Sequence, residues 1–464
     1  MPMHRDTARV EHTQVMSVFE HQRLEAQDFA DAHDFAWLLA KELPVFSISR
    51  VRGRWQLKIG HHIGMVLLPS GRVLEILPKR IAGQQQHEDK ATAVQRGRQW
   101  VSCMLADLSG QRVQQRHYRQ FARPLTPMDA QPPLSTWLPH QFLQQLSAYR
   151  PAAAYMTAEV NDTRLQGKLM LREHLQKNAH QPHKFACQVS RRSHNTLVNR
   201  FINSALQLLD ALMTTRFAKT SVALQWQRAR HYWQRIDCLS VSERQQLAVS
   251  YQLAQRHIRT EPLSGQARLA AQQLLTLSHW LLTHQPPRTP SGSVFAAQGR
   301  DNMPLRLCIL LNMNHAFEQW VSGCVQNQLS AHAPEAQYRV QYQPRARWLQ
   351  DTAGQAHLTV QPDVVVSSRR DGQQTYSHVI DVKWKYVPHA SLVGVQDAYQ
   401  LMSYAAAYDA PTAWLVYPVL CPTAPTALTL ARTPTKANTP TLWLIPFDVL
   451  QGRLMLEGTD AVDG

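Results

Sequence analysis

QPDVVVSSRRDGQQTYSHVIDVKWK, at residues 361–385, is the stretch that decides the fold of the C-terminal part of this chain. It contains two apolar runs rich in Val and Ile, and an Asp-Gly dipeptide separates them. This pattern predicts a β-hairpin whose strands are half or fully buried. Because side chains alternate along a strand, Asp381 and Lys383 should share one face, with Asp363 beside them at the start of the partner strand.

These three charged residues would be costly at a buried sheet unless a cation and a charged substrate use them. Mg²⁺ binds carboxylate oxygens together with water and phosphate oxygens, and a lysine beside it can position or activate an attacking water. The pattern therefore indicates metal-assisted phosphodiester cleavage. Asp363 and Asp381 would bind Mg²⁺, for which Mn²⁺ is the alternative, and the Val382 carbonyl is a candidate further ligand. The competing interpretation is an ordinary hairpin with a surface ion pair.

Two helices are predicted on either side of the hairpin. Residues 312–325 form an amphipathic pattern with a single acid, Glu318. Residues 394–408 form a second helical pattern. Three of its polar side chains share one face, at positions i, i+3 and i+7: Asp397, Gln400 and Tyr404.

Together these segments resemble the PD-(D/E)xK nuclease superfamily, in which Pro362-Asp363 and Asp381-Val382-Lys383 match the two halves of the motif. The Gln-x-x-x-Tyr helix resembles the RecB-like branch. The resemblance implies that Glu318 gives the metal a further carboxylate. It also implies that Gln400 and Tyr404 orient the Lys383 side or the DNA backbone. Lys385 and Asp397 would support the site from farther away.

The composition points to a polyanionic partner, since the 464 residues carry a formal charge of +16. Residues 164–260 hold 16 Lys and Arg against 4 Asp and Glu, so most of the excess lies in one segment. The six cysteines form no C-x-x-C pair, as expected for a protein of the reducing cytosol. No apolar signal core or run of 18 apolar residues occurs, so a cytoplasmic chain without a membrane span is expected.

Short strands alternating with turns predict a small β module over residues 46–80. Within it, GMVLLPSGRVLEILPKR at residues 64–80 resembles the N-terminal signature of McrC-type subunits of 5-methylcytosine restriction systems. RLQGKL at residues 164–169 and NTLVNRFINSAL at residues 195–206 resemble two further family segments. The family order then continues through the nuclease-like segments described above. His61-His62, just before the signature, is interpreted as a surface pair.

Three residues of the middle segments carry structural expectations of their own. Gly167 indicates a turn or a close backbone approach. Asn199 and Arg200, on a helix with an apolar stripe, are expected to brace neighbouring helices, and contact with DNA phosphate is the alternative for Arg200.

The resemblance implies a multidomain α+β or α/β fold. It would have a small N-terminal β module with helices, a central helical segment and a C-terminal mixed sheet like that of restriction endonucleases. The expected domains are residues 1–165 for partner binding, 166–290 as a basic helical domain and 291–464 as the nuclease. The family pairs such a chain with a McrB-like AAA+ GTPase, which it stimulates. No Walker-type G-x-x-x-x-G-K-(S/T) occurs here, so this chain is not expected to bind a nucleotide itself.

The resulting hypothesis is a Mg²⁺-dependent DNA endonuclease subunit of a modification-dependent restriction system. One alternative is a stand-alone RecB-like exonuclease or repair nuclease with the same core. The other is a non-catalytic subunit that binds DNA or activates the GTPase. Cleavage of unmethylated DNA without a GTPase would favour the stand-alone nuclease. The intact Asp363, Asp381 and Lys383 argue against the non-catalytic subunit.

Overall fold

The computed structural model describes nine stretches of the chain. They are residues 15–81, 89–108, 131–213, 221–285, 305–332, 338–370, 373–387, 389–429 and 439–456. The chain divides into two compact units. The larger combines the N-terminal residues up to 134 with those from 308 onward, and the smaller consists of residues 135–285 with 305–307.

Strands and helices are numbered here in chain order. The strands are β1 (Val15–Phe19), β2 (Arg23–Leu24), β3 (Phe46–Val51), β4 (Arg54–Ile59), β5 (His62–Leu67), β6 (Val73–Leu77), β7 (Ala154–Asp162), β8 (Lys168–Leu169), β9 (Phe185–Ser193), β10 (Cys308–Asn312), β11 (Arg339–Tyr342), β12 (Ala346–Gln350), β13 (Ala356–Val360), β14 (Val364–Arg370), β15 (Gln373–Val382), β16 (Thr412–Val419), β17 (Thr426–Leu428), β18 (Thr441–Asp448) and β19 (Arg453–Leu454). The helices are α1 (Ala32–Lys41), α2 (Lys90–Leu108), α3 (Leu134–Ala148), α4 (Leu171–Asn178), α5 (Leu197–Met213), α6 (Ser221–His231), α7 (Val241–Gln245), α8 (Leu247–Thr260), α9 (Gly265–Thr283), α10 (Met313–His332) and α11 (Val395–Tyr408).

The predicted N-terminal β module is confirmed, and it consists of two small sheets. One is antiparallel in the order β2-β4-β3, and the other has the order β1-β6-β5-β10. Strand β10 comes from far along the chain and pairs antiparallel with β5. At this pairing Gly64 has φ 137° and faces the Ile309 carbonyl, where a Cβ atom would overlap it. Glycine in the signature segment is therefore required by a close backbone approach.

The C-terminal part of the larger unit is a mixed sheet in the order β11-β14-β15-β16-β18-β17, with β19 paired to β18. The predicted hairpin is confirmed as the antiparallel pair β14 and β15, while its Asp371-Gly372 turn lies outside the described residues. Strands β15, β16 and β18 run parallel. Every residue of the central strand β16 is buried, as expected for a parallel strand covered on both faces.

Helices pack against both faces of this sheet. Leu401 and Ala405 of α11 belong to one buried cluster with Val379 of β15 and Leu415 of β16. On the other face, Phe317 and Trp320 of α10 contact Phe447 edge to face, with ring centroids 5.4 and 4.8 Å apart. The two helices predicted to flank the hairpin are therefore both present and are held by aromatic and aliphatic packing.

The smaller unit consists of helices and a three-stranded antiparallel sheet in the order β7-β9-β8. Gly167 has φ 69°, and a Cβ atom there would overlap the Gln188 carbonyl, which confirms the predicted turn and close approach. Asn199 is buried and donates to the Ala152 and His194 carbonyls at 2.8 and 2.7 Å. Arg200 forms a bidentate ion pair with Glu243. The Arg200–Glu243 pair joins α5 to α7, which supports the bracing role expected of Arg200, whereas the carbonyls that Asn199 binds lie outside the helices.

The fold is mixed α+β with several sheets, which confirms the predicted fold class. The three domains expected at residues 1–165, 166–290 and 291–464 stay a prediction. Strand β10 joins the N-terminal module, and β7 pairs with β9 in the smaller unit. The first pairing joins segments some 240 residues apart, and the second crosses the boundary expected at residue 165. Within the described stretches, no helix has the length and apolar character needed to cross a membrane.

Candidate functional site

The start of β14 and the end of β15 bring Asp363 and Asp381 together. Val364 pairs with Ile380 across the antiparallel ladder, so Asp363 continues the register opposite Asp381. Residues that oppose each other in this way lie on the same face of a sheet. The Asp363 carboxylate also accepts a hydrogen bond from the Val382 backbone N–H at 2.7 Å, which fixes it against the end of β15.

Asp381 and Lys383 form the second part of the site. Asp381 is 1% exposed, and the Lys383 ammonium donates to its Oδ1 at 3.2 Å and lies 2.9 Å from Oδ2. The Lys383 backbone N–H is bonded to the Val416 carbonyl, so the lysine is anchored to the neighbouring strand. Its side chain is still 27% exposed, which leaves the ammonium within reach of a substrate in solution.

Glu318 approaches the pair of aspartates from α10. Asn312 caps this helix by accepting from the His315 N–H at 3.3 Å. The Glu318 carboxylate accepts from the Tyr342 hydroxyl and the Gln343 amide, each at 3.3 Å. The backbone N–H of Gln343 in turn donates to the Asp363 carbonyl at 2.8 Å. Gln343 therefore links the helix carboxylate to the segment that carries Asp363.

Sequence reasoning missed Tyr342 and Gln343. They stand at the end of a short edge strand, and no motif in the chain marks them. The only local signal is the left-handed backbone of Gln343, with φ 45°, and it becomes visible only in the structure.

The charges in this cluster act on one another. Burial, followed by repulsion from Asp381, raises the pKa of Asp363 to about 7. Burial also raises the pKa of Asp381, although the Lys383 ammonium opposes this. Burial, with weaker repulsion from Asp381, raises the pKa of Glu318. Burial lowers the pKa of Lys383, but attraction to Asp381 outweighs it, so the pKa lies above its ordinary value. We call Glu318, Asp363, Asp381 and Lys383 the acid cluster.

The acid cluster suits a divalent cation. Burial raises the pKa of all three carboxylates, a positive ion would favour their ionised forms, and hard oxygen ligands match Mg²⁺. Within the described part of the chain, Glu318, Asp363 and Asp381 do not form a group whose ligand oxygens all lie within 4.8 Å of one another. Because Mg²⁺ retains several of its waters, some of these carboxylates can act on the ion through water.

A second ion pair lies beside the acid cluster. Lys385 is paired with Asp397 in the first turn of α11, and Asp397 contributes to the raised pKa values of both Asp381 and Lys383. Gly394 leaves room for this pair, since a Cβ atom there would lie 2.8 Å from the Asp397 carboxylate. The structure thus joins Lys385 and Asp397, the two supporting candidates, to each other and to the site.

Gln400 and Tyr404 share the predicted face of α11. The Gln400 amide donates a hydrogen bond to the Tyr404 hydroxyl, one turn farther along the same helix, at 2.6 Å. Their orienting role, and that of the Val382 carbonyl as a ligand, stay predictions.

The comparison with solved structures matches chains of McrBC assemblies. One is a chain of the refined half-complex from a tetradecameric assembly of Thermococcus gammatolerans McrB AAA+ hexamers with bound McrC. It is 14% identical, with 97% of each chain covered and a TM-score of 0.51, which shows a shared fold. Another is a chain of the cryo-EM structure of the Thermococcus gammatolerans McrBC complex, 15% identical over 68% of this chain and 88% of that one, with a TM-score of 0.37. The search of curated proteins gave no match.

A family model identifies the chain more specifically. The model described as McrBC 5-methylcytosine restriction system component matches residues 57–264 and 293–418, which is well over half of the sequence. The matched ranges include the β module signature, the middle segments and the whole acid cluster. This chain therefore belongs to the family of McrBC 5-methylcytosine restriction system components.

Proposed function

We propose that this chain is the DNA endonuclease subunit of a restriction system that depends on 5-methylcytosine, and that the acid cluster is its hydrolytic site. The observation that carries the proposal is the position of Asp363 opposite Asp381, with the Lys383 ammonium bonded to Asp381 and still exposed to solvent. Two carboxylates and an ammonium at one strand end are groups that metal-assisted phosphodiester hydrolysis can use, the carboxylates to hold the ion and the ammonium to offset charge on the phosphate.

The residues divide the chemistry among them. A divalent ion, Mg²⁺ or alternatively Mn²⁺, would polarise the scissile phosphate and acidify a bound water. Asp363 and Asp381 would hold it with help from Glu318 and the candidate carbonyl of Val382. Gln343 and Tyr342 keep Glu318 directed at the site by donating to its carboxylate.

Lys383 acts through its charge in this proposal. Although burial opposes ionisation, the attraction of Asp381 keeps the pKa of Lys383 above its ordinary value, so the side chain is an ammonium at neutral pH. An ammonium positions an attacking water and offsets negative charge on the phosphate, whereas proton abstraction would require the neutral amine. We assign the exposed Gln400 and the half-buried Tyr404 of α11 to orientation of Lys383 or the DNA backbone.

DNA and an AAA+ GTPase are the proposed partners. The net charge of +16, with most of the excess in residues 164–260, supports a polyanion as substrate. The sequence contains no Walker-type phosphate-binding loop, so nucleotide hydrolysis would be supplied by another chain. The similar solved structure is described as McrB AAA+ hexamers with bound McrC, which supports a partner of that class.

Cleavage assays with the purified chain test this proposal. Plasmids with and without 5-methylcytosine are incubated with Mg²⁺ and GTP, with or without a McrB-like AAA+ GTPase. We expect cutting only of methylated DNA, only with the GTPase, and none after chelation of divalent ions. Cutting of unmethylated DNA by the chain alone would instead assign it to stand-alone nucleases of the RecB-like kind.

A further inference from the structure

A second group of metal-ligating side chains lies in the N-terminal β module, outside the acid cluster. Glu20 and His21 form the turn between β1 and β2, and His61 lies in the turn between β4 and β5. The pairing of β2 with β4 brings these turns together, and the His21 N–H donates to the Ile59 carbonyl at 3.1 Å. One potential ligand atom from each of the three residues lies within 4.8 Å of the other two.

Glu20 is a buried carboxylate with one oxygen left over. It is 4% exposed, and its Oε2 accepts from the Lys79 backbone N–H at 2.9 Å and from the Trp384 indole at 3.0 Å. Its Oε1 is also buried and has no hydrogen-bond partner among the described residues. A buried carboxylate oxygen without a partner is costly, and a bound cation would remove that cost.

The two histidines complete a donor set for a transition metal. Their ring centroids are 4.5 Å apart in an edge-to-face arrangement, and His61 is exposed, which leaves the pair open to solution. His21 holds a left-handed backbone with φ 65°, a conformation that persists only where its surroundings fix it.

We propose that Glu20, His21 and His61 form a binding site for a zinc-class transition-metal ion, separate from the acid cluster. Two imidazole nitrogens with one carboxylate oxygen match the ligands of zinc, and water would complete the coordination. The same donors disfavour Mg²⁺, which prefers oxygen ligands throughout. Because Lys58 and Lys79 oppose a dication, we expect weaker binding than at a closed structural zinc site.

This site would join two turns of the β module and connect to the hairpin. Glu20 accepts from the indole of Trp384, the residue that follows Lys383, and the Lys79 ammonium donates to the Trp384 carbonyl at 2.7 Å. An ion on the free oxygen of Glu20 would therefore stabilise the contact that holds the chain just beyond the acid cluster. The expected role of the ion is structural.

Zinc titration of the full chain in the presence of Mg²⁺ tests the proposal, with affinity measured by competition with a chromophoric chelator. We expect a single zinc ion per chain at micromolar concentration. Glu20→Gln, His21→Asn and His61→Gln should each weaken zinc binding about tenfold or more. Gln keeps the two bonds that Glu20 accepts, and Asn tolerates the left-handed backbone of His21, so these variants should fold.

Two control variants distinguish this site from zinc binding elsewhere on the chain. His140→Gln removes an exposed histidine of α3, and Asp381→Asn removes a carboxylate of the acid cluster. Both variants should bind zinc with the affinity of the parent. With Co²⁺ in place of zinc, the parent should show the visible absorption of an imidazole-bound ion, and His61→Gln should lose it. Absence of zinc binding by the parent, unchanged binding in all three ligand variants, or loss of binding in Asp381→Asn would each overturn the proposal.

Discussion

At the scale of single residues, the ionised carboxylates of the acid cluster destabilise the folded state. Burial, followed by repulsion from Asp381, raises the pKa of Asp363 to about 7 in the folded chain, above the ~3.9 of an unfolded Asp. The native state therefore holds this proton more tightly than the unfolded chain does. As the pH rises from about 4 to about 7, the unfolded chain loses this proton more readily than the folded chain. The free energy of unfolding should therefore fall over this range.

Asp363→Asn should remove this penalty and stabilise the protein while it abolishes cutting. The amide oxygen can still accept from the Val382 N–H. In urea denaturation without divalent ions, the variant should be on the order of 1 kcal/mol more stable than the parent at about pH 8. At about pH 4 the two should be equally stable. The difference at about pH 8 is smaller than the full pKa shift of Asp363 would give, because solvent screens the site.

Asp351→Asn is a matched control of opposite sign. Hydrogen bonds from His357 and from the Gln355 backbone lower the pKa of Asp351, which lies on an exposed turn. Its ionised form thus stabilises the fold above the unfolded pKa, and this contribution disappears as the pH falls. The variant should lose stability at neutral pH and not in acid. Equal behaviour of the two variants across pH would show that repulsion at Asp363 is absent.

The residues of the acid cluster differ in how far the sequence could predict them. Asp363, Asp381 and Lys383 lie on one hairpin, so strand alternation was sufficient to place them together. Tyr342 and Gln343 were not predictable, because their bonds to Glu318 depend on how α10 packs against the edge strand β11.

At the scale of elements, the β module depends on one strand from the distant part of the chain. Local alternation predicted β4, β5 and β6, but no local pattern specifies that β10 pairs with β5 across some 240 residues. For the same reason, the sequence does not show that residues from 308 onward belong to one compact unit with the N-terminal residues.

Gly64→Ala should disrupt this pairing. Its φ of 137° is unfavourable for a residue with a side chain, and the added methyl group would overlap the Ile309 carbonyl. We expect a loss of about 3 kcal/mol in the free energy of unfolding. Gly323→Ala in α10 is the control, because nothing lies within 4 Å of its added methyl group and Ala should stabilise the helix by about 0.5–1 kcal/mol. Comparable stability of the two variants in denaturant titrations would show that the β5–β10 contact is looser than described.

At the scale of the whole molecule, the proposed binding of DNA should depend on where the positive charge lies along the chain. Arg191 and Arg192 are exposed on β9, inside the basic segment at residues 164–260. Replacing both by Gln should weaken binding to unmodified DNA. The slope of log K against log salt should become shallower by about one unit for each phosphate that the variant no longer neutralises.

The matched pair is Arg23→Gln with Arg54→Gln, which removes two exposed charges from strands β2 and β4 outside that segment. This double variant should keep the salt dependence of the parent. Equal losses from both pairs, measured by fluorescence anisotropy over a range of salt, would mean that total charge matters and its position does not.

The most direct test of the central claim compares the parent with Asp381→Asn on methylated plasmid, with the GTPase partner, GTP and Mg²⁺ present. Asp381 is the buried carboxylate that bonds Lys383 and lies opposite Asp363. The variant should cut about a hundredfold or more slowly, while its stimulation of GTP hydrolysis stays equal to that of the parent. Cutting at the parental rate by Asp381→Asn would contradict the assignment of hydrolysis to the acid cluster.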